Sequence, residues 1–281
     1  MFIFRLLFVL MMTSLISGCG GKPVKKPIVR LFALDCGSIE VTDMSPFSIN
    51  GAFDGQSYSL ANPCYLIRHP DGDLLWDTGF DQALADSPDG MRGGGFHSTV
   101  SVKLTDQLQE IGLNVDDIEY VSVSHSHPDH IGNARLFKKS TFLISSLEFS
   151  YMFSDEMRKS NESFDSYAHL ESTLIKKYND EYDVFGDGLV VIKTLPGHTP
   201  GSSILVLHLE NAGTVLLTGD LIIHAAGRRI GAVPTFNTDA AQTRDSLAKF
   251  ESLAAQKSAL VIIQHEPMDF KKLPAFPEWL D

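Results

Sequence analysis

The sequence predicts an α/β fold in which two similar β/α halves pack their sheets together inside outer helices. Three observations carry that expectation. Apolar strand-like runs alternate with stretches of helical spacing, in the order strands, helix, strand, helix, then strands, helix and strand again. Several of these runs stop abruptly at a histidine or aspartate, as strands do when their loops gather on one rim of a sheet. The chain has 281 residues, 43% of them hydrophobic, enough to bury a full core as one large domain.

The N-terminus is separate from that domain. Arg5, the apolar run 6–12 and Leu15-Ile16-Ser17-Gly18-Cys19 have the order of an export signal, with an apolar stretch too short to span a bilayer. Ile16-Ser17-Gly18-Cys19 resembles a bacterial lipobox, so residues 1–19 read as a lipoprotein signal peptide cleaved before Cys19, whose thiol is then acylated. Residues 20–27 (GGKPVKKP) form a flexible tether, and residues 28–281 the folded domain. The protein is therefore expected to be exported and lipid-anchored to a bacterial membrane, facing the periplasm or the cell surface, with no other membrane contact. A net charge of −12 and a pI near 5.2 argue against a phosphate-backbone binder, so no nucleic-acid partner is expected. Three cysteines are too few for a disulfide scaffold and are not spaced as in a zinc finger.

Within the domain, 28–34 and 39–41 read as strands broken at 35–38, and 42–60 as a loop rich in Ser, Gly and Asn. Residues 63–68 and 74–76 read as a hairpin turning at Pro70-Asp71-Gly72-Asp73, where Asp-Gly is the turn signal. Val100, Leu104, Leu108 and Ile111 keep helical spacing, with Ser98 or Thr99 as cap and Gly112 as stop. A strand at 120–124 follows. Residues 145–180 carry Phe149, Tyr151, Phe153, Phe164 and Tyr167 with helical character and no clean strand, and are expected to form an inserted helical lobe. Strands return at 189–193, 203–209 and 214–217. Asn237 is expected to cap a helix with the stripe Leu247, Phe250, Leu253 and Ala254, before a last strand at 260–263.

The chemistry is concentrated at the strand ends. In Ser124-His125-Ser126-His127-Pro128-Asp129-His130, three histidines and an aspartate follow one strand directly. Imidazole and carboxylate together suit zinc and similar divalent ions. His125 and His127, two apart, can share one face of the turn, whereas the adjacent Asp129 and His130 must diverge; one ion would leave them unsatisfied and two would not. His198 lies in the turn Pro196-Gly197-His198-Thr199-Pro200-Gly201, Asp220 ends Leu217-Thr218-Gly219-Asp220, and His265 ends Val261-Ile262-Ile263-Gln264-His265. Each alone is ordinary; together they make a site.

The order HxHxDH, GH, GD, H resembles the metallo-β-lactamase superfamily. The stretches LFALDCGSIEV from Leu31, PCYLIRHPDGDLLWDTG from Pro63, VPTFNTD from Val233 and HEPMDFKKLPAFPEWLD from His265 are similar to its N-acyl homoserine lactonase family. The resemblance implies a four-layer αβ/βα sandwich, two mixed β-sheets face to face with helices outside, and a centre of two zinc ions (other divalent metals being possible). It implies that His125, His127 and His198 hold one ion, Asp129, His130 and His265 the other, and Asp220 bridges both, with a shared hydroxide between them as nucleophile. It further implies that Asp77, in the WDTG turn, supports a ligand histidine from behind, and that Asp129 passes a proton to the leaving alkoxide. The expected activity is opening of lactones, N-acyl homoserine lactones first, which would quench quorum signals.

One departure bears on the substrate. Members of that family carry a tyrosine two or three residues after the bridging aspartate, where this chain has Ile222 and Ile223, followed by His224. His224 is a candidate catalytic donor in its place, though a histidine partnering a nearby carbonyl is the plainer account. Ser126 and Pro128 fill spacer positions in which relatives carry bulkier residues. The lobe at 145–180 and the loop at 42–60 are expected to form an apolar slot for a small-molecule lactone or ester, while the oligomeric state stays open. Cys36 and Cys64 are open between a disulfide and two buried free thiols, the latter preferred. Competing readings are an aryl ester, thioester or phosphotriester hydrolase on the same fold, or a metal-binding surface lipoprotein of low turnover.

Overall fold

The computed structural model describes residues 27–160 and 164–281, so the export signal, Cys19 and most of the tether lie outside the described residues. In chain order the strands and helices are β1 (Arg30–Val41), β2 (Tyr58–His69), β3 (Gly72–Trp76), β4 (Met91–Gly93), β5 (Phe96–Thr99), α1 (Leu104–Glu110), β6 (Tyr120–Ser122), α2 (Pro128–Ile131), β7 (Thr141–Ser145), α3 (Ser146–Met152), α4 (Asp155–Ser160), α5 (Phe164–Tyr167), β8 (Ile175–Tyr178), β9 (Glu181–Asp183), β10 (Val190–Thr194), β11 (Ser203–Leu209), β12 (Gly213–Leu217), α6 (Ala225–Ile230), α7 (Ala240–Lys257), β13 (Leu260–Ile262) and α8 (Pro267–Phe270). They build an eight-stranded sheet, β4-β5-β1-β2-β3-β6-β7-β8, and a five-stranded one, β13-β12-β11-β10-β9. Both sheets are mixed. β3, β6, β7 and β8 run parallel in the first, and β12 and β13 are the parallel pair in the second.

Alternation along the strands explains the four layers. Leu31 and Ala33 of β1, Tyr65 and Ile67 of β2, and Leu74 and Trp76 of β3 face Ile192, Leu205, Leu207, Val215 and Leu217 across the inter-sheet core. The intervening Phe32, Leu34, Leu66 and Leu75 turn the other way, onto α1 and the lobe residues Met152, Tyr167 and Leu170. On the second sheet, Ile204, Val206, Leu216 and Val261 lie under Phe250 and Ala254 of α7. Strands buried on both faces must be apolar at every position, so they read as continuous runs.

Several boundaries differ from those expected. β1 is one strand with a register shift between Asp35 and Ser38, not two; Gln107 fills the bulge, donating from Nε2 to the Asp35 carbonyl at 2.8 Å and accepting from its N–H at 2.9 Å. Ser98 and Thr99 do not cap α1. They belong to β5, pairing with Ile39 and Ser38, and α1 starts later at an uncapped Lys103. Residues 145–180 are helical only in part, because β8 closes the edge of the first sheet there. Asn237 does not cap α7; the Asp239 side chain does, accepting from the N–H groups of Ala241 and Gln242. Cys36 and Cys64 are joined in a disulfide, not left as free thiols. Leu34 pairs with Cys64 across β1 and β2, which brings the two Cα atoms to 5.7 Å.

Candidate metal centre

The ends of four strands, one in the first sheet and three in the second, supply the site. β6 delivers the 124–130 loop, β10 the turn holding His198, β12 the turn holding Asp220, and β13 His265. These loops meet on one rim, and the structure brings all seven predicted ligands together there. His125, His127, His198 and Asp220 form one group and Asp129, His130 and His265 a second, each with its ligand atoms within 4.8 Å of one another. His198 Nε2 stands 3.0 Å from His125 Nε2 and 3.1 Å from His127 Nδ1. Asp220 points one oxygen at each group: Oδ2 lies 3.4 Å from His198 Nε2, and Oδ1 lies 3.0 Å from His265 Nε2 and 3.3 Å from His130 Nε2. Asp129 Oδ2 is 3.5 Å from both His130 Nε2 and His265 Nε2.

The donor set fits two cations. Asp220 Oδ1 and His130 Nε2 are buried without a hydrogen-bond partner although they face each other, an arrangement that is costly unless something positive lies between them. Burial, aided by neighbouring imidazoles, drives His125 well below the ordinary histidine range, lowers His127, and brings His198 down to about 4, so these three are neutral lone-pair donors at neutral pH. Burial would likewise lower His130 and His265, but the carboxylates of Asp129 and Asp220 outweigh it, with Asp77 adding to the effect on His130, and both are raised. Burial would raise the two carboxyls, but the imidazoles around them prevail: Asp129 falls to about 2 and Asp220 well below its usual range. A cation held there would compete with protonation of His130 and His265.

Behind the ligands, the far nitrogens of His125, His130, His198 and His265 each have a partner, Ser124 Oγ standing 3.1 Å from His125 Nδ1. Asp77 Oδ2 is 3.0 Å from His130 Nδ1, while its Oδ1 accepts from the Ser124 N–H at 2.6 Å; the residue is fully buried and held at φ 58°. That is the support expected of it from the sequence. His265 Nδ1 meets the Ala61 carbonyl at 2.8 Å, and His198 Nδ1 meets Asn237 Oδ1 at 2.9 Å. Such contacts set which nitrogen is left for a metal. Asn237 was expected as a helix cap because asparagine serves that role so often; its acceptor oxygen is used on His198 instead.

Over the rim opens a pocket of about 580 Å³, with His127, Asp129, Asp220 and His265 at its floor. Its walls are Phe47 and Leu60 from the 42–60 region, Phe80 from the connection to the β4–β5 hairpin, Met91 and Phe96 from the hairpin itself, and Ile223 and Phe236. The 42–60 region contributes as expected, but none of the described residues of the 145–180 lobe lines the pocket. Its rings, Phe149, Phe153, Phe164 and Tyr167, pack on one another in tilted and edge-on pairs against the outer face of the first sheet. His224 does not line it either. Its Nδ1 accepts from the Gly227 N–H at 3.2 Å, capping α6, and its ring lies against Phe53 at 4.7 Å. The predicted donor role is therefore not supported by its position, and its partner is an amide rather than the carbonyl expected; Ile223 fills the wall instead.

A family model described as the metallo-beta-lactamase superfamily matches residues 59–265. The chain belongs to that superfamily and to its N-acyl homoserine lactonase family. The N-acyl homoserine lactonase AttM of Rhizobium radiobacter is 30% identical over 262 residues, covering 88% of this chain and 98% of its own. Among solved structures, an N-acyl homoserine lactone hydrolase with the product N-hexanoyl-L-homoserine at its catalytic metal center superposes with a TM-score of 0.78 at 21% identity, over 91% of this chain and all of that one. AidC, a dizinc quorum-quenching lactonase in complex with a product, gives 0.65 at 19% identity, over 90% of this chain and 92% of its own. These two share the fold of the lactonase-family chain described here.

Proposed function

We propose that this member of the lactonase family is a dinuclear zinc hydrolase that opens N-acyl homoserine lactones. The observation that carries the reading is Asp220, whose two oxygens face two separate histidine groups at the floor of an apolar pocket. The AttM relative is named for the same reaction. His125, His127 and His198 would hold one ion, Asp129, His130 and His265 the other, and Asp220 would serve both. Two such ions acidify a water and polarise a carbonyl. The chain does the rest. The apolar walls receive the acyl chain and exclude water from around the ester. Asp77, Ala61 and Asn237 fix the ligand rings through their far nitrogens. Asp129 is the ligand carboxylate that opens most to the pocket, its side chain 18% exposed against 7% for Asp220, and it moves the proton to the departing alkoxide.

A hydrolysis screen of the purified zinc-loaded protein tests the reading. Acyl-homoserine lactones are run beside aryl esters, thioesters and phosphotriesters of matched bulk, and the highest kcat/KM is expected for the lactones. A clear preference for another class would transfer the activity to that class; no turnover of any of them would favour a binding role.

The export signal and lipid anchor belong to the same proposal. They rest on the lipobox-like run ending at Cys19, and the Cys36–Cys64 disulfide suits the oxidising compartment to which such a signal leads. Cys19→Ser is expected to shift the protein from the membrane fraction to the soluble one. A variant that still pellets and is released by detergent alone would overturn the anchor.

A further inference from the structure

The two halves of the metal centre are braced differently. His130 and His265 rest on Asp77 and the Ala61 carbonyl, and the backbone of Asp129 accepts from Asn62 Nδ2 at 2.9 Å. Behind the three-histidine half stands a carboxylate with no assigned role, Glu148 in the first turn of α3, 1% exposed. Its Oε1 accepts from the Ser126 N–H at 2.9 Å and the Ser126 hydroxyl at 2.7 Å. Its Oε2 accepts from the Thr199 hydroxyl at 2.7 Å and the Gly201 N–H at 3.0 Å. Ser126 lies between His125 and His127, and Thr199 follows His198. The helix sits so close to the second loop that a Cβ on Gly201 would come within 2.1 Å of the Glu148 nitrogen.

We infer that Glu148 is a positioning residue for the metal centre, its carboxylate holding the 124–127 and 196–201 loops in the one register at which His125, His127 and His198 converge on a single cation. The inference rests on the dinuclear reading above. Each oxygen serves one loop, so the spacing between the loops is set by the width of one carboxylate. A site of this kind tolerates only about 0.5 Å of slack before its ligands miss the ion. Four donors satisfy the buried charge, and two of them are backbone N–H groups that cannot rotate away. Glutamine in its place keeps the shape but turns one oxygen into an NH2 group. Whichever way that amide lies, it presents a donor to either the Ser126 or the Gly201 N–H, and one loop is pushed off. The Asp129 half keeps its own braces and is untouched.

Stepwise zinc affinities measured by chelator competition separate this role from general support, with the metal-free fold of each protein checked by circular dichroism. Wild type is expected to bind two ions. Glu148→Gln is expected to bind one with the wild-type constant and the other about 10–100-fold more weakly, the usual effect of losing a group that orients a ligand. Two unchanged constants, or two weakened alike, would overturn the inference. Should Glu148→Gln fail to fold, Ser126→Ala and Thr199→Val each remove one hydroxyl bond and decide it: each is expected to weaken the same single constant several-fold, and unchanged constants overturn the role. A wild-type protein that takes up fewer than two ions fails the dinuclear reading first, and the inference falls with it.

Discussion

The metal rim and the pocket wall above it come from different parts of the chain and are held by different forces. The rim is built from loops at the ends of β6, β10, β12 and β13, and its imidazoles are tied from behind by Asp77, Asn237 and the Ala61 carbonyl. The wall combines Phe47, Phe80, Ile223 and Phe236 with Leu60 of β2 and with Met91 and Phe96 of the β4–β5 hairpin, and its contacts are apolar: Phe47 packs edge-on against Phe236 at 5.4 Å, and Phe96 lies 6.2 Å from Phe47. Polar networks are directional and tolerate little change; ring contacts are adaptable. The rim thus fixes the reaction and the wall fixes what enters, the division expected when catalytic groups sit on a rigid sheet and loops vary above them.

Breaking the rim at its shared member has the largest expected effect. Asp220→Ala opens both ligand groups at once, so elemental analysis is expected to show loss of both ions and activity near background. His265→Ala opens one group and is expected to retain one ion. Equal metal loss in the two variants would remove Asp220 from its bridging place.

Much of this rim was legible because ligand chemistry is rare at strand ends, and seven such residues in pointed contexts are hard to assemble by accident. Its supports were less legible. Glu148 is a lone acid in a helical stretch with no motif, and only the fold shows that its oxygens reach Ser126 and Thr199. The Asp77 role was visible only through the family resemblance. The disulfide depends on the β1–β2 register, which residue types do not encode at a separation of 28. β8 was missed because its Lys176 and Lys177 are exposed on an edge strand, where no apolar run is needed. The wall was half legible: the loop at 42–60 was named, while aromatic content wrongly favoured the lobe, whose rings are spent on packing.

The next largest effect tests Asp129, the proposed proton carrier on the border between rim and wall. Asp129→Asn keeps a ligand oxygen but loses the carboxylate, and is expected to lower kcat by about 10²–10⁴-fold. Two ions counted in the variant would assign the loss to chemistry. Near-normal turnover with both ions present would exclude Asp129 as the acid–base group.

On the wall, changes are expected to be smaller and to appear in KM. Phe236 is 40% exposed at the pocket and packs on Phe47, so Phe236→Ala removes contact area without disturbing the core. A loss of roughly 50 Å² of apolar contact, at about 25 cal/mol per Å², corresponds to about tenfold. That factor is expected in KM for long acyl chains, less for short ones, with kcat little changed. An equal fall in kcat for all chain lengths would mean that the ring acts on the rim through its contact with His198, 5.9 Å away.

The smallest kinetic effect is expected at His224, although it lies four residues from Asp220. Its ring is 3% exposed, caps α6 through Nδ1 and is wedged against Phe53 and Tyr58, and burial lowers its pKa, so it is a neutral structural group. His224→Ala therefore acts on stability. Losing a helix cap costs about 0.5–2 kcal/mol, and at about 2–4 °C per kcal/mol for a domain of this size Tm is expected to fall by a few degrees. Removal of a true oxyanion donor would cost about 10²–10³-fold in kcat, whereas here less than tenfold is expected with both ions in place. A loss as large as that of Asp129→Asn, with metal content and folding intact, would mean that the imidazole swings into the pocket during turnover and supplies the hydrogen bond that Ile223 cannot.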